Sequence, residues 1–335
     1  MPGEPVIWGY DFYAAETVTL KALYAFFIAA DLEFWPDREP IAFNEERWRE
    51  RSPFRERRDW RVEEGVGDII AHGHAGFGVT GDNPHVGNGS IYVRPDRRRR
   101  GIGMALLGDI AAETRRRGRT LLTLETASQV PAGDAFVGHT GAEMAIEARI
   151  SRLDLAMLDP GVIERMIQAG QERACGFALD YWIDSFPEGE LDAIADLFGT
   201  MNSAPRDKLK VNDHRVTADQ IRQGVRELKI AKVSRWVLYA RETATGALAG
   251  FTEVFWHPDR PSHLGQGNTG VRPRYRGHGL GRWLKATMLE RVRRERPMVR
   301  FVDTGNADSN APMLKINEEL GFRLHMISRT WQLPV

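Results

Sequence analysis

The chain has 335 residues, and 46 lysines and arginines balance 46 aspartates and glutamates, so its length favours two domains. A hydrophobic fraction of 42% excludes a chain that is disordered throughout, and a formal net charge of +0 gives no long-range attraction to nucleic acid or an anionic membrane. The single cysteine, Cys175, excludes an internal disulfide and a thiolate zinc site, so no metal is expected. Residues 1–4 lack the pattern of a signal peptide, and no apolar run approaches the roughly 20 residues that span a bilayer. The sequence therefore predicts a cytoplasmic protein without a membrane or nucleic-acid partner.

An internal repeat organises the chain. The segment 93–103 recurs as 271–281, each beginning Val-Arg-Pro and ending Gly-x-Gly, at an offset of 178 residues (271 − 93). This offset is domain-sized, so the repeat predicts a duplicated domain rather than a short-period solenoid. We expect two domains of one fold, at 1–158 and 159–335.

The hydrophobic pattern predicts the elements of each half. In the first half it predicts helices at 15–31 and 44–51, strands at 68–78 and 89–93, a helix at 104–117, and strands at 120–126 and 153–157. In the second half, a connecting helix at 160–173 and an opening segment at 176–186 precede helices at 188–200 and 217–229, strands at 235–241, 247–256 and 269–271, a helix at 282–296, a strand at 299–304, a helix at 311–320 and a last strand at 323–333. The expected fold class is α/β (α+β), with a mixed central sheet flanked by helices in each domain.

The repeated loop has the composition of a phosphate site. Its residues are Arg98, Arg99, Arg100, Gly101, Ile102 and Gly103 in the first copy, and Val271, Arg276, Gly277, His278, Gly279, Leu280 and Gly281 in the second. Glycines allow close backbone approach, a helix start presents N–H groups, and arginine adds positive charge. A dinucleotide loop would need glycine at Leu106 and Leu284, and a nucleoside triphosphate loop would end in Gly-Lys-Ser/Thr. A turn that binds nothing remains the alternative.

These loops resemble the acyl-CoA pyrophosphate loop of the GNAT superfamily of N-acetyltransferases. The second half adds an Asn-rich turn at 306–310 and a segment at 317–322 that ends in Leu-Gly-Phe, both similar to features of that superfamily. The two-domain arrangement resembles mycothiol synthase-like and related bacterial acetyltransferases. The resemblance implies acetyl-CoA bound by the loop residues, with Asn306 and Asn310 either contacting the pantetheine arm or shaping the turn.

The resemblance also implies direct acyl transfer to a primary amine in a ternary complex. The base is expected from the strand ahead of the loop, where Glu253 lies among apolar residues, and desolvation there would make it a better base, directly or through water. A solvent-exposed strand position is the alternative for Glu253. In the first half His74 aligns with Glu253 and is either a base or a structural histidine. Asn317 stands where the superfamily often has a tyrosine that acts as the general acid. An amide cannot protonate a thiolate.

The first half lacks the Asn-rich turn, so we expect catalysis in the second domain and a cofactor-binding partner role for the first. Acceptor contacts are expected from Met201, Asn202 and Asp207, with a surface turn as the alternative. The expected acceptor is a small-molecule amine; a protein or peptide amine and a non-catalytic acyl-CoA sensor are the alternatives. The arginine runs at 97–100 and 115–119 are interpreted as solvated faces, because no aromatic residues are interleaved with them. The sequence leaves a monomer and a homodimer open.

Overall fold

The computed structural model describes residues 6–65 and 67–335, which divide into two compact units. The first unit comprises the described residues up to Glu147 together with Asp207–Asn212 and Ser328–Val335, and the second unit comprises Ala148–Arg206 and Asp213–Ile327. The predicted domain division at residue 158 stays a prediction, because these units follow spatial contacts rather than chain order. Within the described ranges, no helix has the length and apolar character needed to cross a membrane.

Helices and strands follow the same order in both halves of the chain. The first half contains β1 (Ile7–Tyr10), α1 (Thr17–Phe34), α2 (Glu45–Arg49), β2 (Arg55–Glu63), β3 (Ile69–Gly78), β4 (Val86–Val93), α3 (Ile102–Arg116), β5 (Leu121–Ala127), α4 (Pro131–Val137) and β6 (Glu143–Asp154). After a connecting helix, α5 (Pro160–Arg173), the second half contains β7 (Phe177–Ile183), α6 (Leu191–Phe198), α7 (Ala218–Ile230), β8 (Ser234–Glu242), β9 (Leu248–Trp256), β10 (His263–Val271), α8 (Leu280–Glu295), β11 (Phe301–Ala307), α9 (Ala311–Glu319) and β12 (Arg323–Pro334). The predicted α/β class and the predicted duplication are confirmed.

Each unit builds a mixed sheet of the same topology. In the first unit, β1 to β4 are antiparallel neighbours, and β4 pairs in parallel with β5. In the second unit, β7 to β10 are antiparallel neighbours, and β10 pairs in parallel with β11. Buried apolar residues of α3 and α8 pack against these sheets in their respective units. The parallel pair therefore occupies the same place in both sheets.

The last strand of each sheet comes from the opposite half of the chain. Residues 328–334 of β12 pair antiparallel with β5 in the first unit, and residues 148–154 of β6 pair antiparallel with β11 in the second. The predicted strand at 153–157 is therefore wrong in extent: β6 begins at Glu143, and Leu155–Met157 is a short 3-10 turn.

Strand β2 is absent from the sequence prediction. Its sequence, RERRDWRVE, is rich in charge, yet Trp60 and Val62 are buried on one face and Asp59 is buried on the other. An ion pair between Arg57 and Asp59 allows that charged face to be buried, with Arg57 Nε donating to Asp59 over 2.7 Å. The sequence lacks the alternation of apolar and polar residues that predicts a half-buried strand, because both faces of β2 are covered.

Candidate active site

The parallel strands separate at the same point in both sheets. In the second unit β10 pairs with β11 only from His263↔Phe301 to Gln266↔Thr304, although both strands continue beyond. In the first unit β4 pairs with β5 only from Val86↔Leu121 to Asn88↔Thr123. A wedge opens between the strands on the side that leads into the repeated loop.

The wedge exposes backbone groups that no strand satisfies. In the second unit the Arg272 N–H donates to the Ala249 carbonyl over 2.8 Å, so alternation turns the backbone groups of Thr269 and Val271 away from β9 and into the wedge. The Val271 carbonyl accepts from Arg276 Nε, and a ligand containing amides could pair with the remaining groups.

The two loops have the same backbone conformation. Left-handed residues occur at Arg99 (φ 64°) and Gly277 (φ 86°), and again at Gly101 (φ 81°) and Gly279 (φ 78°). Gly101 and Gly279 are the N-caps of α3 and α8. The next residues, Ile102 and Leu280, are buried anchors of these helices. The first N–H groups of each helix have no intrahelical acceptor, and helix N-termini of this kind commonly bind anions.

The last loop glycines differ in their surroundings. A Cβ added at Gly103 would meet Phe136 Cε2 at 3.2 Å, so this glycine permits close packing of α4. A Cβ added at Gly281 would meet its nearest atom, in Ile316, at an ordinary 3.7 Å. His278 is exposed, with its ring centroid 5.8 Å from that of Phe177.

The first arginine of each loop supports the strand end. Arg98 Nε donates to the Val93 carbonyl over 3.0 Å, and Arg276 Nε donates to the Val271 carbonyl over 3.2 Å. The Arg98 guanidinium also forms a two-pronged ion pair with Glu33, at 2.8 and 2.6 Å. Arg276 instead donates to the Ser203 hydroxyl and has no acidic partner in the described part of the chain. The positive charge is therefore neutralised in the first unit and kept in the second, while Arg99 and Arg100 are exposed.

Glu253 lies beside the wedge of the second unit, opposite a β-bulge. Two residues of β10, Gly267 and Asn268, oppose this one position because the register shifts between Gln266 and Thr269. Glu253 is 3% exposed, so the alternative of a solvent-exposed strand residue is wrong.

The Glu253 carboxylate has polar partners in addition to the apolar neighbours that the sequence shows. Oε2 accepts two hydrogen bonds from Arg235, at 2.9 and 2.6 Å. Oε1 accepts from the backbone N–H of Asn268 over 3.1 Å and from its side-chain amide over 2.9 Å. Burial of this carboxylate is stable because a cation and two neutral donors replace water.

A buried lysine, absent from the sequence prediction, lies behind the wedge of the second unit. Lys285 on α8 is 1% exposed, and its Nζ donates to Asn317 Oδ1 over 2.6 Å. Asn317 Nδ2 in turn donates to Asn306 Oδ1 over 2.7 Å. Burial lowers the pKa of Lys285 to about 7. Asn317 therefore links a buried amine to the strand at the wedge, and its side chain uses both polar atoms in doing so.

The sequence contains a signal for Lys285. It stands three and four residues before Met288 and Leu289 on the buried face of α8, where helical periodicity calls for an apolar residue. Counted from the N-caps of the matching helices, the first unit has Leu107 and Val137 at the positions of Lys285 and Asn317. The lysine and asparagine chain is a feature of the second unit. Asn310 is the N-cap of α9 and makes no side-chain capping bond.

The three residues predicted to contact the acceptor have different surroundings in the structure. Met201 lies against the wedge strand, since a Cβ added at Gly270 would meet its Sδ at 3.2 Å. Asn202 is held by its own loop, donating to the His214 carbonyl over 2.8 Å and accepting from the His214 N–H over 2.9 Å. Asp207 is exposed and belongs to the first unit, so the structure does not group it with the wedge of the second.

The second unit is open around its loop. A Cβ added at Gly277 meets nothing within 4 Å, and one added at Gly279 meets only Arg173 Cδ at 3.8 Å. Beside Gly279, a cavity of about 380 Å³ between α5 and α8 is lined by Arg165, Arg173 and Arg282, and also by Glu319, which pairs with Arg282. Cationic side chains, free helix N–H groups and unpaired strand amides match the phosphates and the amide-containing arm of coenzyme A.

Two segments of the chain match acetyltransferase families. Residues 57–136 match the acetyltransferase (GNAT) domain, and residues 202–322 match the acetyltransferase (GNAT) family. No curated protein matches the chain.

Solved structures share the two-domain architecture. A tandem GNAT protein from the clavulanic acid biosynthesis pathway, solved without acetyl-CoA, is 26% identical and aligns over 98% of both chains with a TM-score of 0.78. A GCN5-related N-acetyltransferase from Sphaerobacter thermophilus is 16% identical over 98% of this chain and 95% of its own, with a TM-score of 0.64. A glucosamine N-acetyltransferase region of a fungal multi-domain GH3 β-N-acetylglucosaminidase is 13% identical, with a TM-score of 0.66 over 99% of this chain and 38% of its own. The last two show the fold alone. The two family matches and the tandem relative together show that this chain belongs to the GNAT family, as a tandem-domain acyl-CoA N-acetyltransferase.

Proposed function

We propose that the second unit transfers the acetyl group of acetyl-CoA directly to the primary amine of a small molecule. The observation that carries this proposal is the coincidence of three features in one unit: the wedge between β10 and β11, the bulge that faces Glu253, and the left-handed glycine loop at the start of α8. When bound, acetyl-CoA supplies an activated acyl group. The chain supplies position, charge and a proton acceptor.

Binding of coenzyme A is assigned to the loop and to the asparagines of β11 and α9. The N–H groups of Leu280 and Gly281, with the cation of Arg276, face the pyrophosphate in this proposal. Asn306 uses Oδ1 to accept from Asn317 and keeps its Nδ2 donors for the pantetheine arm. Lys285 and Asn317 act as positioning residues, because they fix the side-chain amide of Asn306.

Glu253 is assigned the role of base. Its Oε2 stays on Arg235, and Oε1 is the reactive oxygen because only the neutral donors of Asn268 hold it. An acceptor amine that replaces the Asn268 side-chain amide can pass its proton to Oε1. The two-pronged bond to Arg235 keeps the carboxylate pointing at the bulge while this happens.

Two observations favour a small acceptor. The formal net charge of +0 gives no long-range attraction to a basic polypeptide tail or to tRNA. The 26% identical tandem protein is named from the clavulanic acid biosynthesis pathway, which favours a small molecule over a protein as acceptor.

The test is Glu253→Gln, measured with acetyl-CoA and a panel of small amines. We expect kcat to fall by about 100-fold or more, with the acetyl-CoA dissociation constant nearly unchanged. The single variant also leaves the partly buried guanidinium of Arg235 without its counter-ion, which can destabilise the fold.

A double variant, Glu253→Gln with Arg235→Met, separates these two effects. It removes both charges together, so the fold no longer contains an unpaired, partly buried cation. A base role predicts that the double variant stays inactive. Recovery of turnover would show that Glu253 is only the counter-ion of Arg235.

A further inference from the structure

The first unit contains a buried cluster of titratable groups that the proposed function does not use. Asp59 on β2 is fully buried, and its Oδ1 lies 3.3 Å from His72 Nε2 and 3.3 Å from His74 Nδ1. His72 is also buried and lies 3.2 Å from the Tyr10 hydroxyl through the same Nε2 atom. Burial by itself raises the pKa of Asp59, but the two nearby imidazoles and the Arg57 guanidinium outweigh it and hold that pKa well below its usual range. Asp59 is therefore a buried carboxylate anion that faces two imidazoles.

The position of His74 is equivalent to that of Glu253. The strand before each loop is tied by the same bond, from Arg94 N–H to the Ile70 carbonyl (2.9 Å) and from Arg272 N–H to the Ala249 carbonyl (2.8 Å). Four residues beyond Ile70 lies His74, and four beyond Ala249 lies Glu253. The predicted alignment of these two residues is confirmed by the strand register.

The paired arginine is also equivalent in the two units. Arg57 is opposite Gly76 on β3, two residues after His74, and Arg235 is opposite Phe255 on β9, two residues after Glu253. In the second unit this arginine binds Glu253 itself, whereas in the first it binds Asp59 and leaves the histidine uncovered. The first unit therefore keeps the arginine and differs at two positions: His74 replaces Glu253, and Asp59 replaces Val237, which lies opposite Glu253.

The two histidines differ in access. His72 faces the core at Phe27, with ring centroids 4.9 Å apart, and burial lowers its pKa. The side chain of His74 is 27% exposed, and it is directly opposite Ser90 on β4, in the stretch that has separated from β5. Its Nε2 lies 3.1 Å from where a Cβ of Gly76 would be, so the glycine makes room for the ring. His74 Nδ1 is buried 3.3 Å from Asp59 Oδ1 and has no hydrogen bond within the described residues, so Nε2 is the nitrogen that a substrate can reach.

We propose that the first unit is a second acyl-transfer site, in which Asp59 orients His74 and His74 Nε2 accepts the proton of a primary amine. The amine nitrogen bonds to the acyl carbon and gives one proton to Nε2. The carbon–sulfur bond breaks with its electron pair on sulfur, and the thiolate takes the proton back from His74. The unit also has the wedge between β4 and β5 and the left-handed loop that ends at Gly101. This proposal rests on the family's chemistry and is independent of whether the second unit turns over.

Bromoacetyl-CoA is the probe, because it needs no knowledge of the acceptor. A nucleophile at the acyl position displaces bromide from the bromomethyl carbon and stays covalently attached. The full chain carrying Cys175→Ser is used, since the exposed thiol of Cys175 would react by itself. Peptide mass spectrometry should find the adduct on His74, and excess coenzyme A should suppress it.

Matched variants test whether labelling of His74 depends on the loop of the first unit. Gly101→Val should reduce the His74 adduct at least tenfold, whereas Gly118→Val, which has a similar φ of 69° at the end of α3, should leave it unchanged. Gly279→Val in the other loop should also leave it unchanged, so failure of this proposal is distinct from failure in the second unit. Asp59→Asn should slow labelling while coenzyme A still competes. The proposal is overturned if His74 carries no adduct in the Cys175→Ser protein, or if the adduct forms equally in Gly101→Val.

Discussion

Each charged side chain in the interior of the second unit is held by specific partners. Lys285 has the fewest hydrogen-bond partners among these side chains. Its Nζ has one hydrogen bond, to Asn317, and its ammonium lies 5.3 Å from the Phe322 ring. A fully solvated ammonium makes three hydrogen bonds, so desolvation favours the neutral amine. The position is tolerable near neutral pH because losing the proton removes the cost of burying a charge.

Replacing Lys285 with methionine should change how stability depends on pH. Burial lowers its pKa from 10.5 to about 7, so between these values the unfolded chain binds more protons than the folded protein. The wild type therefore loses stability as the pH falls from about 10 to about 7, and Lys285→Met should not share this loss. Relative to the wild type, we expect the variant to gain at least about 1 kcal/mol in the free energy of unfolding between pH 9.5 and pH 7. Urea denaturation at the two pH values measures this.

The exposed Lys315 on α9 provides the control, since Lys315→Met removes a lysine without changing a buried one. A stability difference between Lys285→Met and the wild type that is the same at both pH values would contradict this account of Lys285.

Some features of individual site residues could be predicted from the sequence. The glycines at 101 and 279 were identified by their spacing, and both have the left-handed φ that the loop requires. The arginine partner of Glu253 could not be predicted from the sequence. Arg235 lies 18 residues away on a neighbouring strand, and only strand register brings the two side chains together. Lys285 was missed even though helical periodicity makes its position apolar.

At the scale of elements, the bulge in β10 distinguishes the second unit from the first. Strand β4 pairs with β3 without a register shift from Ala71↔Val93 to Gly76↔Asn88, whereas β10 has the shift opposite Glu253. The extra residue turns the Asn268 N–H toward Glu253 Oε1. Bulges commonly redirect groups at functional sites, and this one holds the proposed base.

Gly267→Ala should therefore disturb catalysis more than binding. A Cβ at this position would meet Phe255 Cε2 at 2.7 Å and Glu253 Cγ at 2.8 Å, so the carboxylate must move. We expect kcat to fall at least tenfold with the acetyl-CoA dissociation constant within about twofold, since a displaced catalytic group costs rate rather than affinity. Gly265→Ala on the same strand is the control, because its Cβ would meet nothing closer than 3.9 Å. Equal kcat values for the two variants would contradict the role of the bulge.

Most helices were located from the sequence. The connecting helix was predicted at 160–173 and α5 is Pro160–Arg173. The strand before the second loop was predicted only at 269–271, but β10 begins at His263. Its glycine-rich sequence, HLGQGNTGV, lacks the β-branched pattern of a strand, and pairing on both sides holds it in place.

At the scale of the whole molecule, each sheet depends on a strand from the other half of the chain. Residues 328–334 extend the sheet of the first unit, and residues 148–154 extend that of the second. No sequence pattern marks this exchange, because β6 and β12 each look like the natural end of their own half. Only the strand pairing reveals which sheet they join.

Cutting the chain at residue 158 should therefore leave two incomplete sheets. Separately expressed 1–158 would lack the strand that pairs with β5, and 159–335 would lack the strand that pairs with β11. Exposed sheet edges promote aggregation, so we expect each fragment alone to be poorly soluble and the two to co-purify when expressed together. Fragments that are each monomeric, cooperatively folded and indifferent to one another would contradict the exchange.

Calorimetric titration of acetyl-CoA tests whether the loop at the start of α8 holds acetyl-CoA for transfer in the second unit. Gly279→Val forces a β-branched residue into a left-handed conformation, φ 78°, at the helix N-cap. Gly246→Val is the matched control, since its φ of 75° imposes the same strain in the turn between β8 and β9, away from the loop. We predict that Gly279→Val loses one binding site while Gly246→Val keeps the stoichiometry and affinity of the wild type. Unchanged acetyl-CoA binding in Gly279→Val, with the fold intact, would contradict the claim.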